Sequence, residues 1–371
     1  MRDVAVISFA QSDHVAAEDR RNEVEMLMPV LGEVLGNVDM TIDDIGFTCS
    51  GSTDYLAGQA FSFVMTLDGV GPWPPIQESH VEMDGAWALY EAWVKLQLGE
   101  IDTALVYCYA KSSPGDLPMV LTRQLDPYTV APLWPDAISL AALQARAGLD
   151  AGTVTLDQMA DVVARSRAAG ADNPHVPRPP DPTSDSADLR KEPEWVAPLR
   201  KHDCPPVTDG VAAVVLAADP VAGQRSDRPA WLRGIDHRIE PMALGARDLA
   251  RSASTRLAGE RAGALGSGAL DGGAVDVAEL HAPFSHQEVI VRQALGLDDH
   301  PNVNPSGGAL AANPMMTAGL IRIGEVARRI SAGDADRGVA HATQGPCLQQ
   351  NLVCVLAADR AADDGAEGAP Q

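Results

Sequence analysis

The segment Asn302 to Arg322, NVNPSGGALAANPMMTAGLIR, constrains this chain more than any other. Gly307 and Gly308 stand together where the backbone must turn with no side chain in the way. A short loop through Ala311, Ala312 and Asn313 follows, and a helix is expected from about Pro314 to Ile330. Proline suits the first turn of a helix and biases the residue before it away from helical geometry. Asn313 is therefore expected to offer its amide from a loop at a helix N-terminus, a place that attracts carbonyl oxygens and anions.

Around this segment the hydrophobic pattern alternates between strand and helix. Residues 4–10 read as a strand, and 19–36 as an amphipathic helix with Val24, Leu27, Val30, Leu31 and Val34 at helical spacing. Pro29 lies inside that pattern, where it kinks or splits a helix. A buried strand ending at Cys49–Ser50–Gly51, a strand over 75–81, a helix over 85–98 and the apolar run TALVYCYA at 103–110 follow. Such an uninterrupted run is typical of a strand covered on both faces. The β-α-β-α-β order indicates a layered α/β domain.

From 111 to about 206 the pattern loosens. Helices are expected over 137–147 and 155–169, the second opened by a capping box, Thr155 to Gln158. Residues 174–198, rich in Pro, Asp and Ser, read as an excursion over the surface, of the kind that often covers a ligand site. A second α/β pattern begins near Pro229. It has a strand over 230–235, a helix over about 246–262, a strand over 275–280 and a helix from Ser285 capped by a Ser285–Glu288 box. Strands at 338–342 and 352–357 close it, and 359–371 read as a disordered tail. The expected division is residues 1–228, with a cover at about 111–200, and residues 229–358.

Composition removes several function classes. With a net charge of −23 a basic nucleic-acid-binding surface is not expected. No apolar run reaches the length of a membrane span, and the N-terminus reads as a strand rather than a secretory signal. Five scattered cysteines without CxxC spacing point to a reduced, cytoplasmic protein with no disulfide framework or zinc ribbon of its own. A polyanionic ligand would need a local basic patch, for which Arg165, Arg167, Arg200, Lys201, Arg247 and Arg251 are candidates.

The segment Asn304–Pro305–Ser306–Gly307–Gly308 followed by Ala312–Asn313–Pro314 resembles the Asn-Pro-x-Gly-Gly and Gly-His-Pro motifs of thiolases and of sterol carrier protein X-type, lipid-transfer thiolases. The runs at 202–217 and 157–175 resemble the same proteins. The resemblance implies a duplicated αβαβα fold of two similar halves in five layers. It also implies an acyl-CoA ligand with no tightly bound cofactor, and dimerisation through a sheet edge of the first half.

Thiolase chemistry needs a cysteine thiolate at a helix N-terminus with a histidine and a second cysteine for proton transfer. At the matching positions this chain carries Glu82, Asn313 and Ala342. Glu82 is open to two readings: a carboxylate acting as base or anion stabiliser, or, with Asp84, a plain helix cap. His281, in a loop that resembles the family's histidine loop, is the proton-transfer candidate, with the alternative of a histidine bonded within its loop. His281 and His286 lack a third partner for a metal, so none is expected. Asp84, Gly85, Phe284, Gly308, His341, Gln344, Gly345 and Cys347 are expected around the pocket, Cys347 either as a displaced thiol or as a small buried residue.

Two functions of different class follow from this set, with a plain lipid or CoA carrier as a third. One is a supporting subunit without its own thiol nucleophile, paired with a second thiolase-like chain or an OB-fold/zinc-ribbon chain in lipid catabolism. The other is an enzyme making or breaking a carbon–carbon bond in an acyl-CoA, for which the resemblance to lipid-transfer thiolases implies a bulky, steroid-derived acyl group, by retro-aldol or acyltransferase-type chemistry with His281 and Asn313.

Overall fold

The computed structural model describes residues 2–177, 185–264 and 274–360. The expected tail from 361 onward, and 178–184 of the surface excursion, lie outside the described residues. The first half contains β1 (Val4–Gln11), α1 (Glu23–Gly36), β2 (Phe47–Gly51), β3 (Gln77–Val81), α2 (Gly85–Leu98) and β4 (Thr103–Ala110). The intervening cover carries α3 (Ala137–Asp150) and α4 (Leu156–Ala171), and β5 (Gly210–Ala218) returns the chain to the sheet. The second half contains β6 (Ala230–Ile239), α5 (Ala253–Ala262), β7 (Val277–Leu280), α6 (Ser285–Leu295), α7 (Ala318–Ala332), β8 (Arg337–Gln344) and β9 (Gln350–Ala357).

The nine strands run β3-β2-β4-β5-β1-β6-β9-β8-β7. This order exposes a duplication. In the first half, β1 pairs antiparallel with β5, β5 antiparallel with β4, and β4 parallel with β2, which pairs with β3. In the second, β6 pairs antiparallel with β9, β9 antiparallel with β8, and β8 parallel with β7. The place of β3 is taken there by a single parallel bridge, Ala278 to Val303. The halves meet where β1 pairs with β6 through Ala5–Trp231 and Val6–Ala230.

Five layers result, and strand alternation explains them. Ala104, Val106 and Cys108 of β4, with Ala340 and Ala342 of β8, pack inward on α2 and α7. Leu105, Tyr107 and Tyr109 face outward onto Leu27, Val30 and Leu31 of α1. Val339, Val353 and Val355 face the opposite outer layer, made by α5 and α6. The middle helix α2 is buried on nearly every side by small and apolar residues, from Gly85 to Leu89 and at Ala92 and Leu96.

Several boundaries differ from the sequence expectation. Pro29 neither splits nor ends α1, because it sits on the exposed face, where water takes the carbonyl its missing N–H would have bonded. The helix expected over 246–262 begins only at Ala253, capped by Ser252. The helix expected from Pro314 begins at Ala318, because Pro314–Thr317 forms a turn closed by Thr317 N–H to the Pro314 carbonyl at 3.1 Å. The Ser285–Glu288 box does not form. The Gln287 side chain takes the Phe284 amide instead, Ser285 donates to Asp203 at 2.6 Å, and Glu288 turns inward.

Candidate functional site

The polar centre lies at the carboxyl ends of the strands, where the middle helices begin. Asp84 is its pivot. As N-cap of α2 it accepts the Ala86 amide at 2.9 Å, and the same carboxylate accepts the amides of Gly319 at 2.8 Å and Leu320 at 3.0 Å in the first turn of α7. Its own amide donates to Gln344 Oε1 at 2.9 Å, and Gly85 N–H donates to the Met316 carbonyl at 2.8 Å. Burial pushes the Asp84 carboxyl above its ordinary value, against the pull of the three amides and Arg322. Both oxygens accept amides, the bonding pattern of an ionised carboxylate. One internal anion thus neutralises the positive ends of both central helices. Gly319 must lack a side chain, since a Cβ there would lie 2.5 Å from Asp84 Oδ1 and 2.6 Å from Ala342 Cβ.

His281 follows β7 directly. Its Nδ1 accepts the Thr343 amide at 3.4 Å, which leaves the proton on Nε2 to be donated to Asn313 Oδ1 at 3.2 Å. Burial, reinforced by Arg322 and opposed by the Asn313 bond, lowers the His281 pKa to about 4. At neutral pH the ring is uncharged and acts as a donor, with both nitrogens engaged. Asn313 is held by its own amide to Thr208 Oγ1 at 3.0 Å, and among the described residues its Nδ2 takes up no bond. The structure thus brings His281 and Asn313 together.

A buried brace lies beneath them. Glu279, fully buried on β7, accepts Arg322 of α7 at 2.7 Å and the Ser306 hydroxyl at 2.7 Å. Asn304, left-handed at φ 51°, accepts the Leu280 amide at 2.6 Å and donates to Glu288 at 2.8 Å. Gly307 and Gly308 turn through φ 99° and 64°, and a Cβ on Gly308 would strike the Asn304 amide. The Asn-Pro-x-Gly-Gly run therefore locks the site to the second half of the sheet.

The remaining residues of the sequence-derived set are dispersed. Glu82 is half exposed and turned away from His281, accepting Thr53 Oγ1 at 2.8 Å and the Asp54 amide at 2.7 Å. His341 faces the outer layer, bonded to Asn351 at 3.0 Å, and burial lowers its pKa to about 3. Phe284 packs in that layer too. Gly85 rests on Cys108, and Gly345 (φ 77°) turns the chain after β8. Cys347 sits in an apolar cluster with Leu125, Val130 and Leu140, its thiol bonded to the Leu140 carbonyl at 3.3 Å. Burial pushes that thiol up to about 11 and Cys204 up to about 12, and raises Cys49, Cys108 and Cys354 further.

Most of the expected basic patch is engaged elsewhere. Arg165 pairs with buried Glu288, and Arg247 donates to the Pro346 and Cys347 carbonyls. Arg200 donates to the Glu192 and Arg190 carbonyls, and Arg251 faces Asp248 at 3.7 Å. His281 and His286 diverge, the latter bonded to Gln144 at 3.2 Å. Among the described residues no three His, Cys, Asp or Glu side chains converge as metal ligands, and no helix is long and apolar enough to cross a membrane. Sequence reasoning missed Thr208, Thr343, Glu279 and Arg322. Only the last two carried a signal, as opposite charges placed within apolar runs.

No family model matches the chain. An acetyl-CoA acetyltransferase from Methanothermobacter thermautotrophicus is 27% identical over 226 residues, which is 56% of this chain and 58% of that protein. The chain thus spans a little over half the length of that relative. An acetyl-CoA acetyltransferase from Methanocaldococcus jannaschii is 24% identical over 354 residues, 88% of this chain and 89% of its own. Among solved structures, an Ltp2-ChsH2(DUF35) aldolase superposes with a TM-score of 0.78 at 17% identity, over 96% of this chain and 98% of that one. Human mitochondrial 3-ketoacyl-CoA thiolase gives 0.77 at 13% identity, over 96% and 99%. The chain thus has the duplicated five-layered fold of these thiolase-type structures, and its sequence is similar to that of acetyl-CoA acetyltransferases.

Proposed function

We propose that this chain binds an acyl-CoA thioester in the cytoplasm without forming an acyl-enzyme, as the supporting subunit of a heteromeric thiolase-like enzyme of lipid catabolism. The observation that carries this reading is Asp84. Its carboxylate fills the place between the two central helix N-termini where a thiolate or oxyanion would draw on the dipoles, so those amides are already satisfied. No thiol replaces the missing nucleophile, since every described cysteine is raised by burial. The aldolase among the structural neighbours bears a two-component name, Ltp2-ChsH2(DUF35), which supports a second chain here as well. A second thiolase-like chain and an OB-fold/zinc-ribbon chain are the two kinds of partner to test, with homodimerisation through the exposed edge of β3 as the alternative assembly.

The test is turnover of a panel of acyl-CoAs, including bulky β-hydroxy and β-keto steroid thioesters, by the purified chain alone and with a co-purifying chain. Carbon–carbon cleavage that needs both chains supports the subunit reading. Full turnover by the chain alone contradicts it. The second reading, acid–base carbon–carbon chemistry within this chain, is favoured by the His281–Asn313 pair. It requires that turnover by the isolated chain disappears in His281→Ala.

A further inference from the structure

β8 ends at Gln344 and β9 begins at Gln350, and the turn between them is strained. Gly345, Cys347 and Leu348 all stand in left-handed backbone, at φ 77°, 55° and 58°. Glycine adopts such angles freely, but cysteine and leucine do so only where their surroundings hold them there. Part of the hold comes from their own side chains. Cys347 packs with Leu125, Val130 and Leu140, and Leu348 enters the outer-layer cluster of Val353 and Val355.

The rest comes from outside the turn. Arg247 donates to the Pro346 carbonyl at 2.7 Å from one terminal guanidinium nitrogen and to the Cys347 carbonyl at 2.8 Å from the other. Gln144 of α3 adds a second bond to the Cys347 carbonyl at 3.2 Å, and Asn351 of β9 takes the Leu348 carbonyl at 2.8 Å. Three successive carbonyls are thus held by side chains from three separate parts of the chain. The planar fork of Arg247 spans two of them, which a lysine, a point charge on a flexible stem, does not reproduce. Among the described residues no carboxylate pairs with this guanidinium, and its Nε takes up no bond. Its hydrogen-bonding is directed at the turn.

The turn starts inside the candidate site. Gln344 Oε1 accepts the Asp84 amide at 2.9 Å, and the Thr343 amide donates to His281 Nδ1 at 3.4 Å. We infer that Arg247 is a positioning residue: by holding the 345–348 turn in its strained form, it keeps Gln344 on Asp84 and Thr343 on His281. Without the guanidinium the turn relaxes toward ordinary angles, and Gln344 and Thr343, which lead directly into it, shift with it. The inference rests on the reading of His281 as the polar centre's proton carrier and adds what fixes its geometry.

The experiment compares the full chain as wild type, Arg247→Gln and Arg247→Lys, by NMR of 15N-labelled histidine rings across pH and by iodoacetamide labelling with peptide mass spectrometry. The His281 signals are assigned with His281→Gln. Arg247→Gln is expected to move the His281 ring signals and to raise the His281 pKa from about 4 toward its ordinary value, as water enters. It is also expected to speed Cys347 labelling at least roughly tenfold while Cys49, Cys108 and Cys354 stay unlabelled. Arg247→Lys is expected to fall between the wild type and Arg247→Gln. Unchanged His281 signals and titration in Arg247→Gln overturn the inference, even with faster Cys347 labelling, since the turn then opens without acting on the site. Altered His281 signals with Cys347 still protected overturn it too, by placing the effect outside the turn. So does equal acceleration at all four cysteines, which marks loss of the whole fold, and so does wild-type behaviour of Arg247→Lys, which leaves charge rather than the fork as the hold. Each of these outcomes leaves the acid–base reading to its own test, the loss of turnover in His281→Ala.

Discussion

The Asp84 carboxylate in the first half of the chain accepts the amide of Gly319 in the second at 2.8 Å, across 235 residues of sequence. Together with its bonds to Ala86 and Leu320 it caps two helices that no other side chain caps at these positions. Asp84→Asn keeps one acceptor and sets an NH2 group against a backbone N–H. It is expected to destabilise the protein by about 2–4 kcal/mol, read from urea unfolding. Glu82→Gln, on the surface, is expected to change stability by less than about 1 kcal/mol.

Buried thiols predict chemical silence. With its pKa pushed up to about 11, only about one Cys347 in ten thousand is ionised at pH 7. Iodoacetamide labelling of the native chain, followed by peptide mass spectrometry, is expected to leave Cys49, Cys108, Cys347 and Cys354 unmodified until denaturant is added. Cys347→Ser is expected to leave acyl-CoA binding unchanged.

Buried neutral histidines make the fold sensitive to acid. Burial lowers the His286 pKa from its ordinary 6.5 to about 3. Between these values the unfolded chain holds a proton that the folded chain does not, so stability rises with pH across that window and is lost as pH falls through it. Raised carboxyls at Asp84, Glu279 and Glu288 act in the opposite direction, so the informative quantity is the difference between the wild type and His286→Gln. That difference is expected to shift against the wild type by up to about 1.4 kcal/mol per pH unit below pH 6.5. A difference independent of pH would contradict the assignment.

The Arg322–Glu279 pair is buried on both sides, so removing one partner strands the other. Arg322→Met is expected to cost about 3–5 kcal/mol by chemical unfolding, and Arg322→Met with Glu279→Gln less than the single change. Because Arg322 helps hold His281 neutral, the single change is also expected to raise the His281 pKa, observable by NMR titration.

Where one physical term dominated, the sequence was easily read. The run Thr103–Ala110 is a strand buried on both faces, and Gly85–Leu98 is a helix whose small and apolar residues suit burial all round. The turn at Gly307–Gly308 was legible because only glycine adopts those angles freely. Side-chain direction was not legible. Glu82 and Asp84 are two residues apart, yet one caps two helices inside the protein and the other pins a surface segment. Ser285 and Glu288 fit a local capping pattern, but Asp203, Asn304 and Arg165, all distant in sequence, claim them. His281 was found through its motif, whereas Thr343 and Thr208, which fix its tautomer and its partner, are ordinary residues until the fold assembles them.

The central claim is acyl-CoA binding without an acyl-enzyme. It is tested most directly by native and denaturing intact-mass spectrometry after incubation with acyl-CoA. The account predicts a thioester complex under native conditions and the unmodified chain mass after denaturation. An acyl adduct that survives denaturation and maps to a cysteine would contradict it.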